Sequence, residues 1–387
     1  MINLLFDLNN IAHRSLFVIS GYGSKTYTFD SQNEIDQLMR KMAMDIAFLI
    51  RTINPSRIFF AQDSKSWRKD IFIEENDGYK AQRKKSAIIN WKNVYNSLDE
   101  FIKLMESNGM ITTKLDNAEA DDIISLWSNE IINNEHQHVI IISGDEDMRQ
   151  LVKTHFFNNE PSFVSVYNPF MQGKNSSKKL YVSPEFDTWI HTSDEVDFMN
   201  MKATLNIDKE DFNKIITSEK TKMEVINGPE IAIRKIFCGD DGDNVPAIYT
   251  WLSNEKEVRI TNSKYEKIIE MLSSSGTSIT YDDLLNISSK VYDAISKIIK
   301  QKPNFDINER LLRQIKLVVL DPKYFPEEIV NQFNIIKDEQ LKRPRINYSN
   351  INMKYLLDGT RYVSEVKSSN EASIFKEIDR IKQFPLF

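Results

Sequence analysis

Nine of the carboxylates in five short stretches of this chain could act together: Asp7 in LLFDLNN, Asp63 in FAQDSKSWRKD, Glu119, Asp121 and Asp122 in NAEADD, Asp145 and Asp147 in SGDED, and Asp240 and Asp243 in CGDDGDN. Taken singly, each stretch has a structural reading. Asp145 suits an N-cap after a strand, Glu119 to Asp122 favour a helix N-terminus through the dipole, and GDDGDN reads as a turn. Taken together they describe chemistry. If they converge on one pocket, mutual repulsion at that density requires divalent cations to offset it. Oxygen-only ligands suit Mg²⁺, with Mn²⁺ as a substitute, rather than zinc, and no His/Cys cluster argues otherwise. No stretch has the spacing of an EF-hand loop.

The flanking elements must bring these acids together. INLLFDL (2–8) reads as a buried strand ending in Asp7, and RIFFAQD (57–63) as a second ending in Asp63. HVIII before SGDED, with Val139 to Ile142 uninterruptedly apolar, reads as a third, and a short strand is expected near Met110–Thr113. Between them lie helical patterns. Ile35, Leu38, Met42, Ile46 and Leu49 space a helix over 33–50, Val94, Leu98, Phe101, Ile102 and Met105 one from Trp91 to Ser107, and a further helix begins near Ala118. Strands alternating with helices predict a parallel α/β sheet with right-handed crossovers, whose strands deliver their terminal acids to one edge. Glu119 and Asp122, three apart, share a helix face. Asp240 and Asp243 fall in a turn between expected helices.

A different chemistry is expected from the segment between the second strand and the helix at Trp91. From Lys80 to Lys92 there are five basic residues and no acid, whereas Glu185 to Asp211 holds eight acids against two lysines. The formal net charge of −6 therefore conceals a polarised molecule. If 79–85 is helical, Lys80, Arg83 and Lys84 share a face with Tyr79 beside Arg83. That face suits a single-stranded backbone and an unstacked base, and Lys80 and Arg83 could also stabilise a phosphate in its transition state. A solvated charged loop is the alternative, and Trp67 and Trp91 read as packing residues at its base. At 387 residues the chain has room for two domains. It carries no apolar run of membrane-spanning length and no basic leader before MINLLFDLNN, and its one cysteine, Cys238, precludes an internal disulfide. A cytoplasmic protein without a membrane partner is expected.

The five acidic motifs, in this order, resemble those of the 5′ nucleases of the flap endonuclease family, and YKAQR (79–83) resembles that family's basic arch. Within the family the phage ribonuclease H branch is nearest in look, including the segment RLLRQIKLVVLDPKYFPEEIVNQF. The resemblance implies a PIN-like α/β fold: a parallel sheet core flanked by helices (1–165) with a basic helical arch at about 64–92. Residues 166–227 have no counterpart and stand as an insertion. A mostly helical DNA-binding domain follows over 228–382. The resemblance also implies a 5′-3′ exonuclease or flap endonuclease that hydrolyses phosphodiesters by a two-metal mechanism in replication or repair, including ribonuclease H-like primer removal. DNA and RNA–DNA hybrids with 5′ ends or flaps would be its substrates, in the host cytoplasm if a phage encodes it. By this likeness Asp7, Asp63, Glu119, Asp121 and Asp122 surround one Mg²⁺ and Asp145, Asp147, Asp240 and Asp243 the other. Lys80 and Arg83 are catalytic, and Tyr79 and Lys84 bind substrate. The alternative reading is a catalytically inactive nucleic-acid-binding protein of the same fold. VPAIYTWLSNEKE stands where many relatives carry a glycine-rich hairpin that grips duplex phosphates. The last five residues, QFPLF, resemble sliding-clamp-binding peptides, with Gln383 at the rim and Leu386 and Phe387 filling an apolar pocket.

Overall fold

The computed structural model describes residues 1–20, 27–53, 55–73, 78–83, 88–169, 177–191, 209, 212–217, 221–253, 256–273, 279–300 and 305–342. Lys84, Gln383, Leu386 and Phe387, the last three with the rest of the expected clamp-binding tail, lie outside these residues.

Strands β1 (Ile2–Asp7), β2 (Arg57–Gln62) and β4 (His138–Ile142) form as their apolar runs require, the short β3 (Ile111–Lys114) pairs with β2, and β1 and β4 are buried at every position. An uninterrupted run with no polar alternation has two faces to cover, and this sheet is covered on both. Leu4, Phe6 and Ile142 pack with α1 (Leu8–Ile19), α2 (Gln32–Ile53) and α3 (Trp91–Ser107). On the other face, Leu5, Phe59 and Ile141 pack with α4 (Ala120–Asn133) and α11 (Glu327–Leu341). Each buried Leu, Ile or Phe stabilises this sandwich by roughly 1.5–3 kcal/mol. Helix α1 is an element the expected pattern lacked, although Leu8, Ile11, Ala12, Ser15 and Leu16 are buried at helical spacing.

The sheet does not end near residue 165. Its order is β3-β2-β1-β4-β6-β7-β8, with β5 (Lys153–Phe157) also paired to β6 (Glu160–Asn168). Strand β6 runs parallel to β4; β7 (Lys178–Val182) is antiparallel to β6, and β8 (Thr221–Val225) is parallel to β7. The expected division at 165 and 166 thus cuts through β6, and part of the segment expected as an insertion is sheet. Its strands escaped the sequence because KKLYV and TKMEV are short and charged, although only β8 lies at the edge of the sheet. Between them α5 (Pro184–His191) buries Phe186 against Phe163.

The remainder forms a second core from α6 (Gly228–Cys238), a hairpin of β9 (Thr250–Ser253) and β10 (Lys256–Arg259), and α7 (Asn262–Leu272), α8 (Tyr281–Asn286), α9 (Ser288–Ile299) and α10 (Ile307–Val318). A hairpin, not a helix, therefore follows the GDDGDN turn. Gly228 touches the first core so closely that a Cβ would meet the Val152 carbonyl oxygen at 2.4 Å. Helix α11 then returns to the sheet. Phe333 lies edge-on to Trp127 at 4.8 Å, and Gln340 donates to the Thr112 carbonyl at 3.0 Å, covering the β3 edge. No helix among the described residues is long and apolar enough to cross a membrane.

Candidate active site

Because β1, β2, β3, β4 and β6 run parallel, their carboxyl ends share one edge. Asp7 is the last residue of β1 and caps α1, accepting a hydrogen bond from the Asn10 amide at 2.9 Å. Asp63 directly follows β2 and accepts from the Asn9 side chain at 2.6 Å and the Ala120 amide at 2.7 Å. Asp121 stands in the first turn of α4. Asp145 follows β4 across the Ser143–Gly144 turn, and its Oδ1 accepts from the Asp147 amide at 3.0 Å.

These four acids press on one another. Burial, then repulsion from Asp63 and Asp145, pushes the Asp7 carboxyl up to about 8 despite the Asn10 bond. Burial and Asp145 drive Asp121 well above the carboxylate range, and Lys80 only partly offsets them. A carboxylate held this way lacks a countercharge.

The other five acids have one. Arg68, 1% exposed, bonds Asp122 at 2.8 Å and Glu119 at 3.4 Å. Trp67 Nε1 donates to Asp122 at 3.1 Å, and Asp122 in turn accepts from the Glu119 amide. Burial alone would raise Glu119, but Lys80 at 2.6 Å and Arg68 outweigh it and hold the carboxyl below its usual value. Asp243 accepts from Arg83 and, at 3.0 Å, from Tyr79, whose hydroxyl also reaches Glu119 at 3.2 Å. Lys235, at the end of α6, bridges Asp147 and Asp240, the latter at 2.5 Å. Burial opposes the Asp240 charge, yet the Lys235 bond leaves that carboxyl below its ordinary value.

The expected division of ligands into two sets therefore differs from the geometry. Asp145 acts on Asp7 and Asp121, whereas Glu119 and Asp122 turn to basic partners and Asp122 is fully buried under Arg68. Among the described residues, no three His, Cys, Asp or Glu side chains are arranged to hold a metal ion as they stand. Asp7, Asp63, Asp121 and Asp145 nevertheless fit a hard divalent cation by donor type, and Asp7 and Asp121 also by unmet charge. The expected helix over 79–85 is also absent where described: residues 79–82 form a turn, and Lys80 has φ 55°. A run of like charges has no apolar face with which to dock a helix.

A cleft of about 990 Å³ opens beside Asp63, Glu119, Lys80 and Arg83 and is walled by His13, Tyr27, Trp91 and Tyr95. Trp91 also packs on the core, as expected, with its ring 5.1 Å from His13. Trp67 is a buried packing residue beside Phe325. Sequence reasoning missed Arg68, Lys235 and Asn9. Their one local signal is a polar residue beside a buried Trp, before an acidic turn, or next to a strand-end acid.

Residues 3–186 match the family profile described as the 5′-3′ exonuclease, N-terminal resolvase-like domain. They form a PIN-like 5′ nuclease domain. These residues are accordingly a nuclease domain, of the phosphodiester hydrolase class, and the mostly parallel sheet is its fold. Solved structures similar to it include three from phage T5. One is a protein co-crystallised with metal ions (14% identity, 99% of this chain and 100% of that one, TM-score 0.47). The second is the T5 5′-exonuclease with zinc ions bound (16%, 89% and 99%, 0.49). The third is a T5 flap endonuclease in a pseudo-enzyme–product complex with DNA and metal ions (15%, 88% and 99%, 0.44). No curated protein matches the chain.

Proposed function

We infer that this nuclease is a divalent-metal-dependent, structure-specific enzyme of the 5′-3′ exonuclease and flap endonuclease type, encoded by a phage and acting on DNA and RNA–DNA hybrids during replication or repair. One observation carries the reading: Asp7, Asp63, Asp121 and Asp145 lie together at the carboxyl edge of the parallel sheet, where burial and repulsion raise Asp7 and Asp121, beside Lys80. These four would hold the first Mg²⁺, their side chains turning about the arriving ion. Asp147 and Asp240 would share a second with Lys235 as a competing cation. Ions bound there supply the Lewis-acid charge that activates a water and offsets charge on the phosphate oxygens.

The chain's own groups do the rest. Lys80 and Arg83 meet the scissile phosphate once substrate draws them from Glu119 and Asp243, adding charge-assisted hydrogen bonds where negative charge develops. The His13, Trp91 and Tyr95 wall of the cleft gives bases a surface to stack on and keeps bulk water from the edge. Lys84 would extend the basic face, and QFPLF would tether the enzyme to a sliding clamp through Gln383, Leu386 and Phe387.

A single substrate panel tests the reading: a 5′ flap, a nicked RNA–DNA hybrid and single-stranded RNA, each with Mg²⁺, Mn²⁺ or EDTA. The reading expects cleavage of the first two in either metal and none in EDTA. Cutting confined to single-stranded RNA, or undiminished by EDTA, contradicts it.

A further inference from the structure

The acidic turn at 240–244 and the base of the arch at 78–83 are about 160 residues apart in sequence, and several of the hydrogen bonds that join them end on backbone carbonyls. The Lys80 amide donates to the Asp243 carbonyl at 2.8 Å. The Asn244 side-chain amide donates to the Gly78 carbonyl at 2.8 Å. The exposed Gln82 side chain donates to two carbonyls of the turn, those of Asp241 at 2.8 Å and Gly242 at 3.2 Å. The turn is itself rigid. Asp240 and Val245 exchange two amide hydrogen bonds of 2.8 Å across it, and Gly239 enters at φ 77°, where a Cβ would meet the Val245 carbonyl oxygen at 2.6 Å.

Both partners are strained. Lys80 has φ 55° and Asn244 φ 58°, a left-handed conformation that costs a side-chain-bearing residue free energy and persists only where the surroundings over-determine it. The result of that strain is an aimed side chain. With its backbone fixed to Asp243, Lys80 places Nζ 2.6 Å from Glu119 and 3.6 Å from Asp243, at the mouth of the cleft.

We propose that Gln82 and Asn244 are positioning residues, whose side-chain amides clamp the arch base onto the acidic turn so that Lys80 is aimed before substrate arrives. The inference deepens the proposed function and rests on Lys80 being the phosphate-stabilising group. It assigns the turn a second role, through its carbonyl oxygens. It also explains how a turn of the second core can aim a lysine at Glu119, which caps a helix of the first.

The test uses the full chain with Gln82→Ala, Gln82→Glu and Asn244→Ala, and with Lys80→Ala as control. Glutamate keeps the shape of Gln82 but has no N–H to donate. Gln82 is exposed, so its variants are expected to keep the wild-type Tm. Two readouts are taken: hydrogen exchange of the Lys80 amide, and kcat and KM on a 5′ flap. The clamp predicts exchange about tenfold faster and kcat about tenfold lower with KM unchanged in all three variants, the scale of losing one or two ordinary hydrogen bonds. Gln82→Lys, which restores a donor, recovers the slow exchange. Unchanged exchange overturns the clamp, as does faster exchange with wild-type kcat when Lys80→Ala is inactive. If Lys80→Ala cuts at the wild-type rate, the reading of Lys80 fails, and the positioning role fails with it whatever the exchange shows.

Discussion

Two acidic regions share one edge of this sheet and differ in what faces them. Asp7, Asp63, Asp121 and Asp145 face mainly one another, and burial with repulsion lifts Asp7 to about 8. Glu119, Asp122 and Asp243 face Arg68, Tyr79, Lys80 and Arg83, while Asp147 and Asp240 face Lys235. Acid density alone therefore does not mark an ion site. In the proposed reading unmet charge does, because a carboxylate already paired with a buried cation gains less from an arriving one.

The largest expected effect lies on the compensated side. Arg68 is buried against Asp122, which is fully buried, so Arg68→Ala leaves an unpaired internal charge. A loss of about 3–5 kcal/mol is expected in urea unfolding. A loss below about 1 kcal/mol would place Asp122 in contact with solvent or an ion after all. Next come Asp63→Asn and Asp145→Asn, each removing a group proposed to hold the ion. Cleavage should fall by hundreds-fold or more while DNA binding persists, on the scale of losing one electrostatic contributor to a transition state. More than about a tenth of the wild-type rate at saturating Mg²⁺ would break the assignment.

A third variant converts one region into the other. Lys235→Gln strips Asp147 and Asp240 of their countercharge. Its Tm in EDTA should fall, and the rise on adding Mn²⁺ should exceed that of the wild type, since a ligand that binds only the native state stabilises it. An unchanged metal response would mean that Lys235 does not compete with an ion.

How far the sequence revealed this arrangement depends on the range of the interactions. The strands that end at Asp7, Asp63 and near Asp145 were legible because strands buried on both faces read as unbroken apolar runs. Helix α3 forms at Trp91–Ser107 as its spacing predicts. Strands β7 and β8 were hidden by their shortness and their charged residues, and the turn at 79–82 was overread as helix because basic residues three apart imply no packing face. Charge compensation was not legible at all. Lys235 meets Asp147 across 88 positions and Arg68 meets Glu119 across 51, and nothing local specifies either pairing.

The smallest expected effect lies beside the compensated region, at the end of the helix that carries Lys235. Burial pushes the Cys238 thiol up to about 11, partly offset by Arg234 and Arg259. A raised thiol pKa favours the neutral native form. Its contribution to stability is present below the unfolded value near 8.5 and is lost as pH rises through about 11. Alkylation at pH 8 should run about a hundredfold slower than for a free thiol; a rate equal to that of a free thiol would show that the site is open.

The most direct measurement is calorimetric titration of Mn²⁺ into wild-type protein, Asp145→Asn and Asp240→Asn, with DNA absent. The account predicts that Asp145→Asn weakens the tightest binding event by at least about tenfold, whereas Asp240→Asn leaves that event within about twofold. Equal losses, or the larger loss in Asp240→Asn, would contradict the claim that unmet charge rather than acid density selects the ion site.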